Sequence, residues 1–199
     1  MTAQLDPTAF SSLGALFDEP LWIFYRKAAF DGDPVRYLTQ LEGKRVAVGL
    51  PGSGSQELAM QLLTDNGLTR ENTSLRELSR QDEVTQMLAG ELDAILLLDS
   101  YQAETVQKLL RAPDVGLADL AQVEAYAARQ HALKVVTLPE GTIDLRNNVP
   151  ETDVRLLSSA ANLVIRNDIN ATLGRALMTT AVTLFSAGDF LLRRTPIRT

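Results

Sequence analysis

Cysteine is absent from the 199 residues, and histidine appears once, as His131. The first absence excludes disulfides, thiolate metal sites and cysteine nucleophiles. It fits either side of a bacterial inner membrane, so it does not fix a compartment. His131 stands between a helical and a strand-like segment with no partner in view, and it reads as a surface or helix-end residue. No Ser/His/Asp order and no metal-ligand cluster stands out, which weighs against an enzyme. No motif calls for a cofactor. Aromatics are scarce at 6%, and Trp22 is the only tryptophan. No apolar run approaches the roughly 20 residues that a membrane span needs. Residues 1–10 lack the charged head and apolar run of a signal peptide. Basic residues are neither abundant nor clustered: 19 Lys and Arg against 25 Asp and Glu give a net charge of −6. An acidic chain without a basic stripe argues against nucleic acid as a partner.

Hydrophobic residues make up 45% of the chain and charged residues 22%. That balance is ordinary for a globular chain with a real core, and the length suits one domain, or one and a fraction. Residues 16–25, LFDEPLWIFY, end in a buried strand. Residues 45–50 carry a short continuous apolar run, as in a sheet covered on both faces. Leu58, Ala59, Leu62 and Leu63 then share one helical face, stopped at Asn66-Gly67. A strand is expected over 74–78. A helix follows over 81–89, with Val84, Met87 and Leu88 inward and Gly90 as its stop. Residues 93–98, DAILLL, are the clearest buried strand. Helices over 103–111 and 121–130 alternate with strands over 115–117 and 134–138. Residues 154–166 read as one long extended segment. Asn167 or Asp168 caps a last helix with Ile169, Leu173, Leu177, Leu184 and Phe185 as its stripe, and residues 193–199 form a frayed tail. The alternation predicts an α/β layered fold.

The chemistry concentrates where a strand ends and a helix begins, at Gly52, Ser53, Gly54 and Ser55. The first turn of a helix leaves backbone N–H groups unpaired, and the peptide dipoles favour negative charge there. Glycines at 52 and 54 let a ligand approach the backbone, so a carboxylate or phosphate fits. A tight turn with a good cap is the bland alternative. Ser53 and Gln56 have capping-box spacing, which engages the Ser53 hydroxyl and leaves Ser55 as the freer one. The turn lacks the lysine of a nucleotide phosphate loop, because Ser55 stands in that place; ATP and GTP are not expected. Ser100 and Tyr101 follow the carboxyl end of the 93–98 strand, where ligands of open α/β sheets gather. Asp93 opens that strand, and tying a neighbouring loop is its default role. Trp22 and Tyr25 fall on opposite faces of their strand, with core as the default for both and a pocket wall as the alternative for Trp22.

Several separated motifs, in order, resemble the TAXI family of solute receptors of TRAP transporters. The run from Asp18 to Arg26, DEPLWIFYR, is similar to that family's E-P-L-W strand. LEGKRVAVG from Leu41, followed by Gly52-Ser53-Gly54-Ser55, resembles its L-x-G-K-R-V-x-V-G and G-S-G-T block, with serine for the final threonine. LAGELDA from Leu88, LPEGTID from Leu138 with Asn148-Val149-Pro150, and LVIR from Leu163 resemble later blocks. The resemblance runs from about residue 11 to about residue 187.

It implies a type II periplasmic-binding-protein-like lobe, with a mixed, mostly parallel sheet and flanking helices. The implied function is binding of a small carboxylate, such as an amino acid or a dicarboxylate, in an interlobe cleft, with delivery to membrane permease subunits. A regulatory ligand-sensing domain of the same fold is the alternative, although no DNA-binding helix-turn-helix is visible. The implied place is periplasmic or otherwise extracytoplasmic, with a membrane anchor in some relatives. By resemblance, residues 1–25 are a crossover segment, 26–162 the second lobe, and 163–199 a return toward the first lobe, whose N-terminal part is not in this sequence. Gly52 to Ser55 match the family's loop, and Trp22 and Tyr25 match its hinge strand. The last helix is expected either to pack on this lobe or to form a homodimer contact.

Overall fold

The structure, a computed structural model, describes residues 9–185. The expected frayed tail at 193–199 lies outside them, as do the side chains of Leu184 and Phe185. Seven strands and five α-helices follow in the expected order. Strand β1, Phe10–Arg26, is much longer than its apolar half suggests. Strands β2 (Arg45–Ala47), β3 (Ser74–Arg76), β4 (Ala94–Leu98), β5 (Val115–Leu117), β6 (Leu133–Leu138) and β7 (Val154–Arg166) join it in one sheet. Helices α1 (Gly54–Asp65), α2 (Arg80–Leu88), α3 (Glu104–Leu110), α4 (Val123–Arg129) and α5 (Ala171–Phe185) are the α-helices among the described residues.

The sheet order is β3-β2-β4-β1-β7-β6, and β5 also pairs with β1. Among the described residues only β2 pairs in parallel, with β3 and with β4. The mixed sheet is as expected, but antiparallel pairings outnumber parallel ones. The cause is β1, which arrives without a crossover helix and runs antiparallel to β4, β5 and β7. Its first half pairs only with β7, from Phe10 opposite Arg166 to Pro20 opposite Ser158. Its second half enters the centre of the sheet beside β4.

Alternation along that second half builds two cores. Leu21, Ile23 and Tyr25 face a layer containing Leu58, Leu62 and Leu63 of α1 and Tyr126 of α4. Trp22 and Phe24 face Val84 and Met87 of α2 and Val106 and Leu109 of α3. Helices therefore cover both faces, which explains why all five residues of β4 are buried. Leu88, expected to point inward, is 45% exposed, because α2 ends at that residue and turns away through Gly90. The last helix is capped by Asn170, whose side chain accepts from the Thr172 amide, rather than by Asn167 or Asp168. It packs against β1, with Leu173, Leu177 and Met178 still exposed.

Asp93 takes the structural role. Its carboxylate accepts from the Arg26 and Arg45 guanidinium groups at 2.7 and 2.8 Å and from the Arg45 amide at 2.9 Å. Burial works to raise its pKa, but these donors hold it well below the usual carboxylate range. One side chain thereby joins the starts of β2 and β4 to the end of β1.

Candidate functional site

The helices after β2 and β3 start at the carboxyl edge of the parallel strands and lie on opposite faces of the sheet. Their first turns meet over that edge. A crevice of this kind, between crossovers that leave in opposite directions, is where open α/β sheets hold ligands. Here it is a cleft of about 480 Å³, lined from α1 by Ser53, Gly54 and Ser55, from α2 by Ser79, Arg80 and Glu83, and from β1 by Glu19.

The first wall is the loop into α1. Gly49 and Gly52 have φ of 88° and 80°, which favours glycine, and a Cβ on Gly49 would stand 2.9 Å from the Ser53 hydroxyl. Ser53 is the N-cap, as its spacing implies, and accepts from the Gln56 amide at 3.2 Å. The Gln56 side chain reaches back to the Gly52 amide at 3.0 Å. Ser55 is not the freer hydroxyl. It is 6% exposed and accepts from the Leu98 amide at 3.0 Å. The reason is local: β4 runs on to Leu98, whereas β2 pairs with it only as far as Ile95, so the end of β4 takes its partner from α1.

The second wall repeats the first. Ser79 is the N-cap of α2 and accepts from the Asp82 amide. Among the described residues the amides of Gly54, Ser55, Arg80 and Gln81 have no acceptor, as the first turns of helices require. The two positive helix ends thus address one space, and the Arg80 guanidinium stands at its rim. Arg80 is paired with Asp99 at 3.3 Å and its side chain is 57% exposed, so the pair is weak and open to exchange with a ligand anion.

Two carboxyl groups complete the lining. Glu83 is 1% exposed; its Oε1 accepts from the Gly49 amide at 2.9 Å, and its Oε2 has no hydrogen-bond partner among the described residues. Burial raises its pKa to about 7, against the lowering effects of the Gly49 hydrogen bond and Arg80. Glu19 is raised too, first by burial and then by Asp99.

Of the residues singled out in the sequence, Ser53, Gly54 and Ser55 line the cleft, while Gly52, Trp22, Ser100 and Tyr101 are not among its lining residues. Trp22 is fully buried, stacked on Phe24 with ring centroids 6.1 Å apart, and its Nε1 donates to the Asp99 carbonyl at 2.9 Å. Tyr101 packs against the same indole at 6.2 Å, and Ser100 holds the turn by accepting from the Gln102 amide. These residues brace the segment that carries Asp99. Sequence reasoning missed Glu19, Ser79, Arg80 and Glu83. Only Ser79 carried a local signal, a serine three residues before Asp82 at the head of an amphipathic helix.

The architecture is that of a type II periplasmic-binding-protein-like fold. The chain belongs to the NMT1-like family, whose sequence pattern matches residues 4–192. Among curated proteins none matches it. Among solved structures, it is similar to the amino acid ABC transporter substrate-binding protein AbpA of Streptococcus pneumoniae, bound to L-arginine, with a TM-score of 0.52 and 17% identity over 94% of this chain and 60% of that one. It is also similar to the periplasmic aliphatic sulphonate binding protein SsuA of Escherichia coli, with a TM-score of 0.50 and 18% identity over 93% of this chain and 50% of that one. A third likeness is the CcmR regulatory domain of Synechocystis in complex with 2-PG, at a TM-score of 0.52 and 11% identity over 93% of this chain and 71% of that one. The chain thus spans only 60% of AbpA and 50% of SsuA. Among the described residues no helix is long and apolar enough to cross a membrane.

Proposed function

We propose that this chain is the ligand-holding lobe of an extracytoplasmic solute receptor of the TAXI type, which captures a small organic acid and presents it to the permease subunits of a TRAP-type uptake system. The observation that carries the reading is the convergence of two helix N-termini, with four unpaired amides and Arg80, on one cleft at the carboxyl edge of the sheet. Binding, rather than turnover, fits the side chains there, which include no nucleophile–base pair. In this reading β1 and β7 are the paired arms between lobes, residues 26–162 form the lobe, and 163–199 lead back. The exposed Leu173, Leu177 and Met178 then face a neighbouring lobe or a second copy of the chain. Ser53, Gly54 and Ser55 supply the ligand contacts, with Gly52 shaping the loop and Trp22, Ser100 and Tyr101 supporting it. A regulatory sensing domain is the second reading, favoured by the CcmR likeness, and it would use the same cleft.

The test is a thermal-shift panel of small carboxylates, amino acids and sulfonates. A ligand that binds only the folded state raises the melting temperature. One acid class is expected to do so, and Arg80→Gln is expected to weaken its binding roughly tenfold. No shift with any acid, or shifts that Arg80→Gln leaves untouched, contradicts the reading.

A further inference from the structure

The charges around the cleft do not balance for a simple anion. Arg80, its cation, is already paired with Asp99. Glu19 and Glu83 remain on the lining. The Glu19 side chain makes no hydrogen bond or salt bridge among the described residues, although the charges of Asp99 and Arg80 both reach it. Glu83 is almost fully buried, with Oε2 unpartnered. The cleft therefore offers open amides and a guanidinium already engaged by Asp99, together with two carboxyl groups that lack a hydrogen-bond donor at Glu83 Oε2 and at the Glu19 side chain. A dicarboxylate would satisfy the amides and set its second charge against Glu19. An ammonium has three donors, no acceptor and a positive charge, which suits both carboxyl groups.

We infer that the cleft selects a zwitterion, an amino acid, over an acid of the same skeleton without the amine, and that Glu19 is the group that accepts the ammonium. This rests on the reading of the cleft as a solute site. Glu19 is held for the role by its place on β1. It lies opposite Ser159 of β7 and just before Pro20, whose carbonyl accepts from the Asp99 amide at 3.3 Å. Glu83, deeper and tied to the Gly49 amide, lines the same cleft and leaves its Oε2 without a partner among the described residues.

Isothermal titration of the wild-type chain with matched pairs tests this: L-glutamate with glutarate, L-aspartate with succinate, L-alanine with propionate, and L-leucine with 4-methylpentanoate. At least one amino acid is expected to bind roughly tenfold or more tighter than its partner, since a site built for a donor rejects the analogue lacking it. Glu19→Gln, close in shape, is expected to erase most of that ratio, by weakening the amino acid and, for an acid with a second carboxylate, by tightening the plain acid. Plain acids that bind as tightly as their amino acids in every pair that binds, or a Glu19→Gln chain that keeps the ratio, overturn the inference and leave the solute-site reading standing. No binding by either member of any pair, nor by any other acid, removes both. The wild-type comparison holds whatever the variant's folding.

Discussion

Relative to a Glu83→Gln variant, the wild-type chain is expected to lose about 2–3 kcal/mol of stability as the pH rises from 5 to 8. The cause is the buried position of Glu83, 1% exposed, with its pKa raised from 4.5 to about 7. In the unfolded chain the carboxyl ionises near its ordinary value. In the fold it keeps its proton until neutrality. Below pH 4.5 both states are protonated and the residue contributes no pH dependence. Between the two values the unfolded state gains from ionisation and the folded state does not, so stability falls as pH rises. Above about 7 the full penalty is in place. Arg80 on the same helix lowers the pKa, and Glu19 and Asp99 bring further negative charge to the surroundings. Glutamine keeps an oxygen for the Gly49 amide and cannot ionise. Urea unfolding of both chains at pH 5, 6.5 and 8 measures the effect. The variant should overtake the wild type toward pH 8; a constant difference across the range would show that Glu83 is ionised in the fold throughout.

Trp22→Ala is expected to cost about 3–5 kcal/mol, the range for removing a buried aromatic from a packed core. The indole is fully buried between Phe24 and Tyr101. Its removal leaves a cavity beneath the sheet, and it also strips the Asp99 carbonyl of its donor. Trp22→Phe refills much of the space without the N–H, so it is expected to cost about 1–2 kcal/mol. Asp99 pairs with Arg80, so both variants are also expected to weaken acid binding at the cleft. Denaturation midpoints together with titration of a bound acid separate the two effects. An alanine variant within about 1 kcal/mol of wild type would mean that this core collapses around the gap.

These two residues also mark how far the sequence could be read. The order of elements was legible because DAILLL and the stripe Leu58, Ala59, Leu62 and Leu63 carry clear periods. The first half of β1 was not, because Ser11, Ser12 and Gly14 show no apolar alternation. It is a strand because β7 pairs with it, with register shifts near Gly14 and Phe17. The Ser53 cap is a local signal and was read as such. The role of Ser55 is not legible locally, because its partner, the Leu98 amide, is set by where β2 stops pairing. Trp22 looked like a pocket wall only as the lone tryptophan. Its burial follows from the central place of β1 in the sheet, which no local pattern announces. Glu19, Arg80 and Glu83 are scattered singly along the chain and become a site only when the first turns of two helices converge.

The central claim is that these two helix ends form one acid-binding site. Titration of the ¹⁵N-labelled chain with small acids, followed by amide chemical shifts, addresses it most directly. The account predicts saturable shifts concentrated at Gly54, Ser55, Arg80 and Gln81, the amides without an acceptor in the free chain. Saturable shifts at one helix start and not the other, or clustered elsewhere in the sheet, would contradict it.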